Sequence, residues 1–192
     1  MLLPYLQAGR REAGCDEAGR GCLAGPVFAA AVILPPGYDN PRLNDSKKLR
    51  PADRDALRAE IEADAVAWAV ASYSPAEIDA HNIFRSSYGA MHRALDQLTV
   101  RPDFLLIDGK FFLPYPGGTD YACIIKGDGK YQSIAAAGIL AKTHRDEHMR
   151  ALHAECPHYG WATNAGYPTK AHRAAIAALG PTVHHRRSFR LL

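Results

Sequence analysis

Arg11-Glu12-Ala13-Gly14-Cys15-Asp16-Glu17-Ala18-Gly19-Arg20-Gly21 leads through Gly25-Pro26 into the apolar run Val27-Phe28-Ala29-Ala30-Ala31-Val32-Ile33-Leu34, which Pro35-Pro36 stops. The stretch reads as two strands, Arg11 to Asp16 and residues 26–34, joined by a glycine-rich turn. Two adjacent carboxylates stand directly before that turn, and an arginine stands between two of its glycines. Carboxylates bind hard divalent cations, and glycines let a backbone approach a ligand closely. Arginine adds a fixed positive charge suited to phosphate. Parts for a metal therefore sit beside parts for an anion, which points to chemistry on a phosphodiester.

Working outward, Pro51 to Ala63 reads as a helix with proline in its first turn, and Ala65 to Tyr73 as an apolar strand. Pro75 starts another helical segment. Ile83 to Leu98 is a longer amphipathic helix with Met91, Ala94, Leu95 and Leu98 on one face. Phe104-Leu105-Leu106-Ile107 is a continuous apolar run, the pattern of a strand buried on both faces, and it ends in Asp108-Gly109. Tyr121 to Ile125 is a further short strand, ending at Lys126-Gly127-Asp128-Gly129. Ser133 to His153 is helical throughout, and Thr169 to Leu179 is a helix closed by Gly180-Pro181. Strands mixed with helices, without a repeat or linker, predict one α/β domain over residues 1–192, with a small helical C-terminal part from about 157.

The bulk numbers set outer limits. A chain of 192 residues with 47% hydrophobic and 22% charged residues has the make-up of one globular domain. A net charge of +3 permits nucleic-acid binding without arguing for it. Cys15, Cys22, Cys123 and Cys156 show no C-x-x-C spacing, so a zinc ribbon or redox pair is not expected. The N-terminus lacks the pattern of a secretory signal, and no apolar stretch has the length to span a bilayer. A cytoplasmic protein without a membrane contact is expected.

Asp16, Asp108 and Asp128 each lie at or just beyond the end of a predicted strand. If those strands are neighbours, the carboxylates meet at one edge of the sheet, where α/β folds place ligands. Such a group repels itself unless a cation sits among it, and an oxygen-rich site suits Mg²⁺ or Mn²⁺. Asp-Gly pairs also form ordinary turns, which is the competing reading of each aspartate alone. Because successive side chains of a strand point to opposite faces, aiming both Asp16 and Glu17 inward calls for a twist or bulge near Gly19 and Gly21. His172, His184 and His185 lack partners at zinc-ligand spacing, and surface or phosphate-facing positions are expected for them. Neither Ser46 nor Ser133 sits in a nucleophile elbow.

Asp16-Glu17-Ala18-Gly19-Arg20-Gly21 with Gly25-Pro26 resembles the opening signature of ribonuclease HII, the type 2 ribonuclease H family. Further matches follow in order: Asn44-Asp45-Ser46-Lys47-Lys48-Leu49, Ile107-Asp108, Lys126-Gly127-Asp128, Ala141-Lys142-Thr143-His144-Arg145-Asp146, Gly166-Tyr167 and His185-Arg186-Arg187-Ser188-Phe189. The resemblance implies a ribonuclease H-like fold: a central mixed sheet flanked by helices. It also implies a metal-dependent endoribonuclease that cleaves RNA in RNA–DNA hybrids and cuts 5′ to ribonucleotides embedded in duplex DNA. Asp16, Glu17, Asp108 and Asp128 take the positions of the family's catalytic carboxylates and two-metal ligands, with Mg²⁺ or Mn²⁺ as cofactor. Asp146 competes for the fourth place, although a helix-face ion pair accounts for it. By the same resemblance Gly19, Arg20 and Gly21 read the 2′-hydroxyl and adjacent phosphate, Lys47 meets phosphate near the scissile bond with Ser46 beside it as a substrate-binding residue, and Tyr167 stacks on the following deoxyribose. Expected partners are RNA–DNA hybrid and ribonucleotide-containing DNA; the enzyme is expected to be a monomer, and a replication clamp is left open as a partner.

The chain departs from the family pattern at three places. Gly138 stands where serine is common and is expected to loosen its helix slightly. Pro168 replaces a glycine after Tyr167, and Ala165 replaces a frequent lysine. The type 3 family shares the carboxylates but adds an N-terminal domain, for which the fifteen residues before Asp16 are too short. A non-catalytic hybrid-binding module is the remaining alternative, and the intact set of four carboxylates argues against it.

Overall fold

The computed structural model describes residues 2–192. Strand β1 (Glu12–Ala18) pairs antiparallel with β2 (Val27–Ile33). Helix α1 (Pro51–Asp64), strand β3 (Ala67–Tyr73), helix α2 (Pro75–His81) and helix α3 (Ile83–Gln97) follow. Strands β4 (Phe104–Asp108) and β5 (Asp120–Ile124) precede the long helix α4 (Gln132–Glu155), and α5 (Trp161–Asn164) and α6 (Lys170–Leu179) are the last two helices. The sheet is five-stranded in the order β3-β2-β1-β4-β5, with β1 parallel to β4 and β4 parallel to β5. It is the expected mixed sheet between helices.

Two layers cover it. On one face α3 supplies Tyr88, Met91, Ala94 and Leu95, which pack on Ala13, Cys15, Ala29 and Ala31. On the other, the alanine-rich first half of α4 packs on Ala30 and Val32. Small residues let this helix lie close to the sheet: a Cβ on Gly14 of β1 would collide with the Ser133 backbone. Leu105, Leu106 and Ile107 of β4 are fully buried, as their unbroken apolar run predicts. Each such side chain contributes roughly 1.5–3 kcal/mol by leaving water.

Helix starts follow ordinary capping chemistry. Ser74 and Glu77 form a reciprocal capping box at α2, and Thr169 Oγ1 accepts the His172 N–H at α6. The segment between α4 and α6 is not one helix but a one-turn 3₁₀ piece, Pro157–Tyr159, followed by the single turn α5. Around it Leu23, Met149, Leu152, Tyr159, Trp161 and Ile176 form a separate apolar cluster. That cluster fixes the C-terminal part against the loop that follows β1.

Candidate active site

Asp16 does not end its strand. The ladder with β2 runs two residues further, through Glu17↔Ala29 to Ala18↔Phe28, so the expected strand end at Asp16 is corrected to Ala18. The register is regular across Asp16 and Glu17, and the expected bulge is absent. The two carboxylates therefore obey strand alternation. Asp16 shares the face of Gly14 and lies against α4, where a Cβ on Gly138 would collide with its Oδ2. Glu17 shares the opposite face with Ala13 and Cys15, and its Oε1 accepts from Arg20 Nη1 at 3.2 Å.

Asp108 is the last residue of β4, one step beyond the Cys15↔Ile107 pair that joins β1 to β4. Its Oδ1 accepts the Gly127 N–H at 2.7 Å. Asp128 sits in the 3₁₀ turn Gly127–Gly129 that follows β5, after Lys126 adopts a left-handed φ of 55°. Parallel pairing of β1, β4 and β5 thus brings all four carboxylates to one edge. Lys47 Nζ stands 3.5 Å from Asp128 Oδ2 and 3.5 Å from Asp45 Oδ1, placing an ammonium at the same edge.

The carboxylates act on one another through repulsion. Burial pushes the Asp16 carboxyl well above its ordinary range, and the Glu17, Asp108 and Asp128 charges push the same way. Burial also raises Glu17, with Arg20 opposing it, and raises Asp108 against the Gly127 N–H. Three carboxyls are thus held in a field that favours their neutral forms, and a bound cation would relieve it. The donor set is all oxygen, which fits a hard divalent ion. Among the described residues, no three His, Cys, Asp or Glu side chains are gathered tightly enough to hold a metal as they stand.

The remaining predicted residues fall into two groups. Gly19 has φ +93°, and a Cβ there would collide with Arg145 Nε, so only glycine fits. Arg20 is exposed and bonded to Glu17; Gly21 faces open space. Tyr167 is 39% exposed rather than a core tyrosine, with the Lys142 and Arg145 cations each 5.9 Å from its ring centre. Ser46, in contrast, is buried, and its carbonyl accepts from Arg54 Nη1. Asp146 is engaged by Lys142 Nζ at 2.7 Å.

Three features escaped the sequence. Gly138 makes the space that Asp16 occupies; its role is packing, beyond the expected loosening of the helix. Arg145 and Arg186 are fully buried, and among the described residues neither has a carboxylate partner. Arg145 donates to the carbonyls of Ala24, Pro26 and Ala165, and Arg186 to those of Arg20 and Gly25. They hold the glycine-rich loop from beneath, and burial lowers Arg186 to about 10. The Leu23 N–H donates to the Gly166 carbonyl at 2.8 Å, lacing that loop to the Tyr167 turn. The histidine expectation is corrected: His172 and His185 are buried and bonded to each other, not at the surface.

A cavity of about 440 Å³ lies elsewhere, lined by Pro4, Tyr5, Arg10, Glu12 and Ser133. Among the described residues, no helix is long and apolar enough to cross a membrane.

The model of the family described as ribonuclease HII matches residues 13–192. A Bacteroides thetaiotaomicron ribonuclease HII is 62% identical over 192 residues, covering 100% of this chain and 96% of its own length. One from Parabacteroides distasonis is 60% identical over the same coverage. Among solved structures, ribonuclease H2 from Pyrococcus horikoshii has a TM-score of 0.80 at 24% identity, covering 94% of each chain, and shares the fold. The ribonuclease HII of Archaeoglobus fulgidus, solved as a complex with PCNA, has a TM-score of 0.74 at 26% identity, covering 94% of this chain and 95% of that one. With its ribonuclease H-like sheet, its carboxylate edge and these full-length matches, the chain belongs to the ribonuclease HII family and is a metal-dependent ribonuclease H, a hydrolase of the RNA strand in RNA–DNA hybrids.

Proposed function

We propose that this enzyme also cuts on the 5′ side of single ribonucleotides embedded in duplex DNA, leaving 3′-hydroxyl and 5′-phosphate ends, with Asp16, Glu17, Asp108 and Asp128 holding two Mg²⁺ or Mn²⁺ ions. The observation that carries the reading is the pairing of a repelling carboxylate edge with a laced recognition rim, the Gly19–Gly21 loop tied through Leu23 to the Tyr167 turn. Such a cutter belongs to the removal of misincorporated ribonucleotides and primers.

Divalent ions at this edge would activate the attacking water and stabilise charge on the leaving 3′-oxygen. The chain's own residues do the rest. Asp16, buried against α4, and Asp108, fixed by the Gly127 N–H, form the rigid side of the site. Glu17 is held by Arg20, so substrate phosphate drawn to Arg20 would release it toward the ions. Lys47 balances the carboxylate charge and meets the phosphate near the scissile bond.

Selection needs a detector for a lone 2′-hydroxyl. Backbone groups of Gly19, Arg20 and Gly21 reach a groove that side chains would block, and buried Arg145 and Arg186 keep that backbone in shape. Half-exposed Tyr167 offers a ring face to the next sugar, where an extra hydroxyl is disfavoured. Together they select the RNA-to-DNA step.

The test is a duplex with one ribonucleotide, incubated with Mg²⁺ or Mn²⁺, with both product ends mapped. Cutting 5′ to the ribonucleotide supports the proposal. Cleavage of hybrid with the single-ribonucleotide duplex left intact would sink it.

A further inference from the structure

Trp161, His172 and His185 form a buried chain of hydrogen bonds that ends on the backbone of Tyr167. Trp161 Nε1 lies 3.0 Å from His172 Nε2, His185 Nε2 lies 3.2 Å from the same nitrogen, and His172 Nδ1 lies 2.9 Å from the Tyr167 carbonyl oxygen. The Thr182 N–H lies 2.9 Å from His185 Nδ1.

The protons follow from the obligate donors. An indole N–H only donates, so His172 Nε2 must carry a lone pair. A backbone N–H only donates, so His185 Nδ1 must carry one too. With both rings neutral, His185 Nε2–H donates to His172 Nε2, and His172 Nδ1–H donates to the Tyr167 carbonyl. Every polar atom of both imidazoles is then satisfied in one arrangement. Protonating either ring would set donor against donor. Burial agrees, lowering His172 and taking His185 to about 4.

The turn that this chain grips is strained. Ala165 has φ 46° although it carries a side chain, and a Cβ on Gly166 would collide with the Ala24 carbonyl. Pro168 then confines Tyr167 to extended backbone angles. The Tyr167 carbonyl accepts from the Thr169 N–H at 2.8 Å as well as from His172. The ring is 39% exposed, with the Lys142 and Arg145 cations beside it and the buried Cys22 thiol near its hydroxyl, and its backbone sets the direction from which it leaves the turn.

We propose that His172, oriented by Trp161 and His185, is a positioning residue for substrate selection: its Nδ1–H fixes the Tyr167 carbonyl and so the plane that the tyrosine ring presents to the sugar. The inference rests on the reading of Tyr167 as the sugar-stacking residue.

Two isosteres separate positioning from packing. His172→Gln keeps a group near the Nε2 place, where its carbonyl can accept from Trp161 and His185, but has no donor toward Tyr167. His172→Asn keeps a donor near the Nδ1 place and leaves the Trp161 and His185 donors unpaired. His172→Gln is expected to keep its Tm within a few degrees and lose roughly 10- to 100-fold in kcat on a single-ribonucleotide duplex. His172→Asn is expected to melt several degrees lower yet restore most of the cutting per folded molecule. A purely structural histidine would make activity follow Tm in both variants, which would overturn the inference. Tyr167→Ala is run alongside. If it cuts like wild type, the reading of Tyr167 falls and the inference with it. If it is impaired while His172→Gln is not, only the inference falls.

Discussion

The carboxylate of Asp16 rests on the bare backbone of Gly138: a Cβ on that glycine would collide with Asp16 Oδ2. The strand and the helix lie this close at a turn of α4 that carries no side chain, and the acid takes up that space. The obstructing atom is the end of a rotatable side chain. Gly138→Ser should therefore raise stability by roughly 0.5 kcal/mol through helix propensity and keep cutting within about threefold, with Asp16 turned. Gly138→Val adds two branches that one rotation cannot clear, and cutting should fall by at least about tenfold. Equal activity in both variants, measured on hybrid substrate, would show that Asp16 does not depend on this space.

Asp16 also works against the fold it sits in. Burial and three neighbouring carboxylates favour its neutral form, so its charge at neutral pH is destabilising. Asp16→Asn keeps the oxygen that accepts the Glu17 N–H. Without metal the variant should melt about 2–4 °C higher than wild type, equivalent to roughly 1 kcal/mol. Added Mg²⁺ or Mn²⁺ should stabilise the wild type more than the variant. Unchanged melting with and without metal would remove the argument from repulsion.

Lys47 stands among the same charges, 3.5 Å from Asp128. Two opposite effects follow from its removal. Lys47→Ala should lower kcat/KM roughly 10- to 100-fold by losing a phosphate contact, and reduce the salt slope of binding by about one. It should also tighten metal binding without substrate, because the edge becomes more negative. Weakened metal binding would show that the ammonium supports the ions rather than standing in for one.

The histidine pair predicts a pH signature. His185 titrates at about 4 in the fold against an ordinary 6.5, so below 6.5 the unfolded chain takes up the proton first. Its contribution is complete above about 6.5 and is lost as pH falls toward 4. The neighbours that face it are Trp161, Tyr159 and His184, which pairs with Glu155; Arg173 adds its charge beside His172. Carboxylates raised in the fold shift stability the opposite way over this range, so the comparison is with His185→Gln. The melting gap between wild type and variant should shrink from pH 6.5 to pH 4. A constant gap would contradict a neutral pair.

Much of this was legible in the residues. The apolar run before Asp108 and the proline-started helix at Pro51 come out as expected because each is a local signal. The end of β1 did not, since Glu17 and Ala18 are kept in the ladder by Ala29 and Phe28, partners invisible from β1 alone. Nor does a glycine in a helix announce which side chain lies over it. His172 and His185 read as surface residues because what buries them is distant in sequence: Trp161 donates to His172 from another element, and the two rings meet across 13 residues. Nothing near Arg145 and Arg186 in sequence shows their partners, which are carbonyls brought in by the β1–β2 loop and the Tyr167 turn.

The central claim is that the carboxylate edge performs the hydrolysis. The decisive measurement is the single-turnover rate on a single-ribonucleotide duplex across a Mg²⁺ titration, for wild type and for Asp16→Asn shown to be folded by its melting curve. The account predicts that the variant, as stable as wild type or more so, is slower by about 10³-fold at every metal concentration. A folded variant cutting within about tenfold of wild type would contradict it.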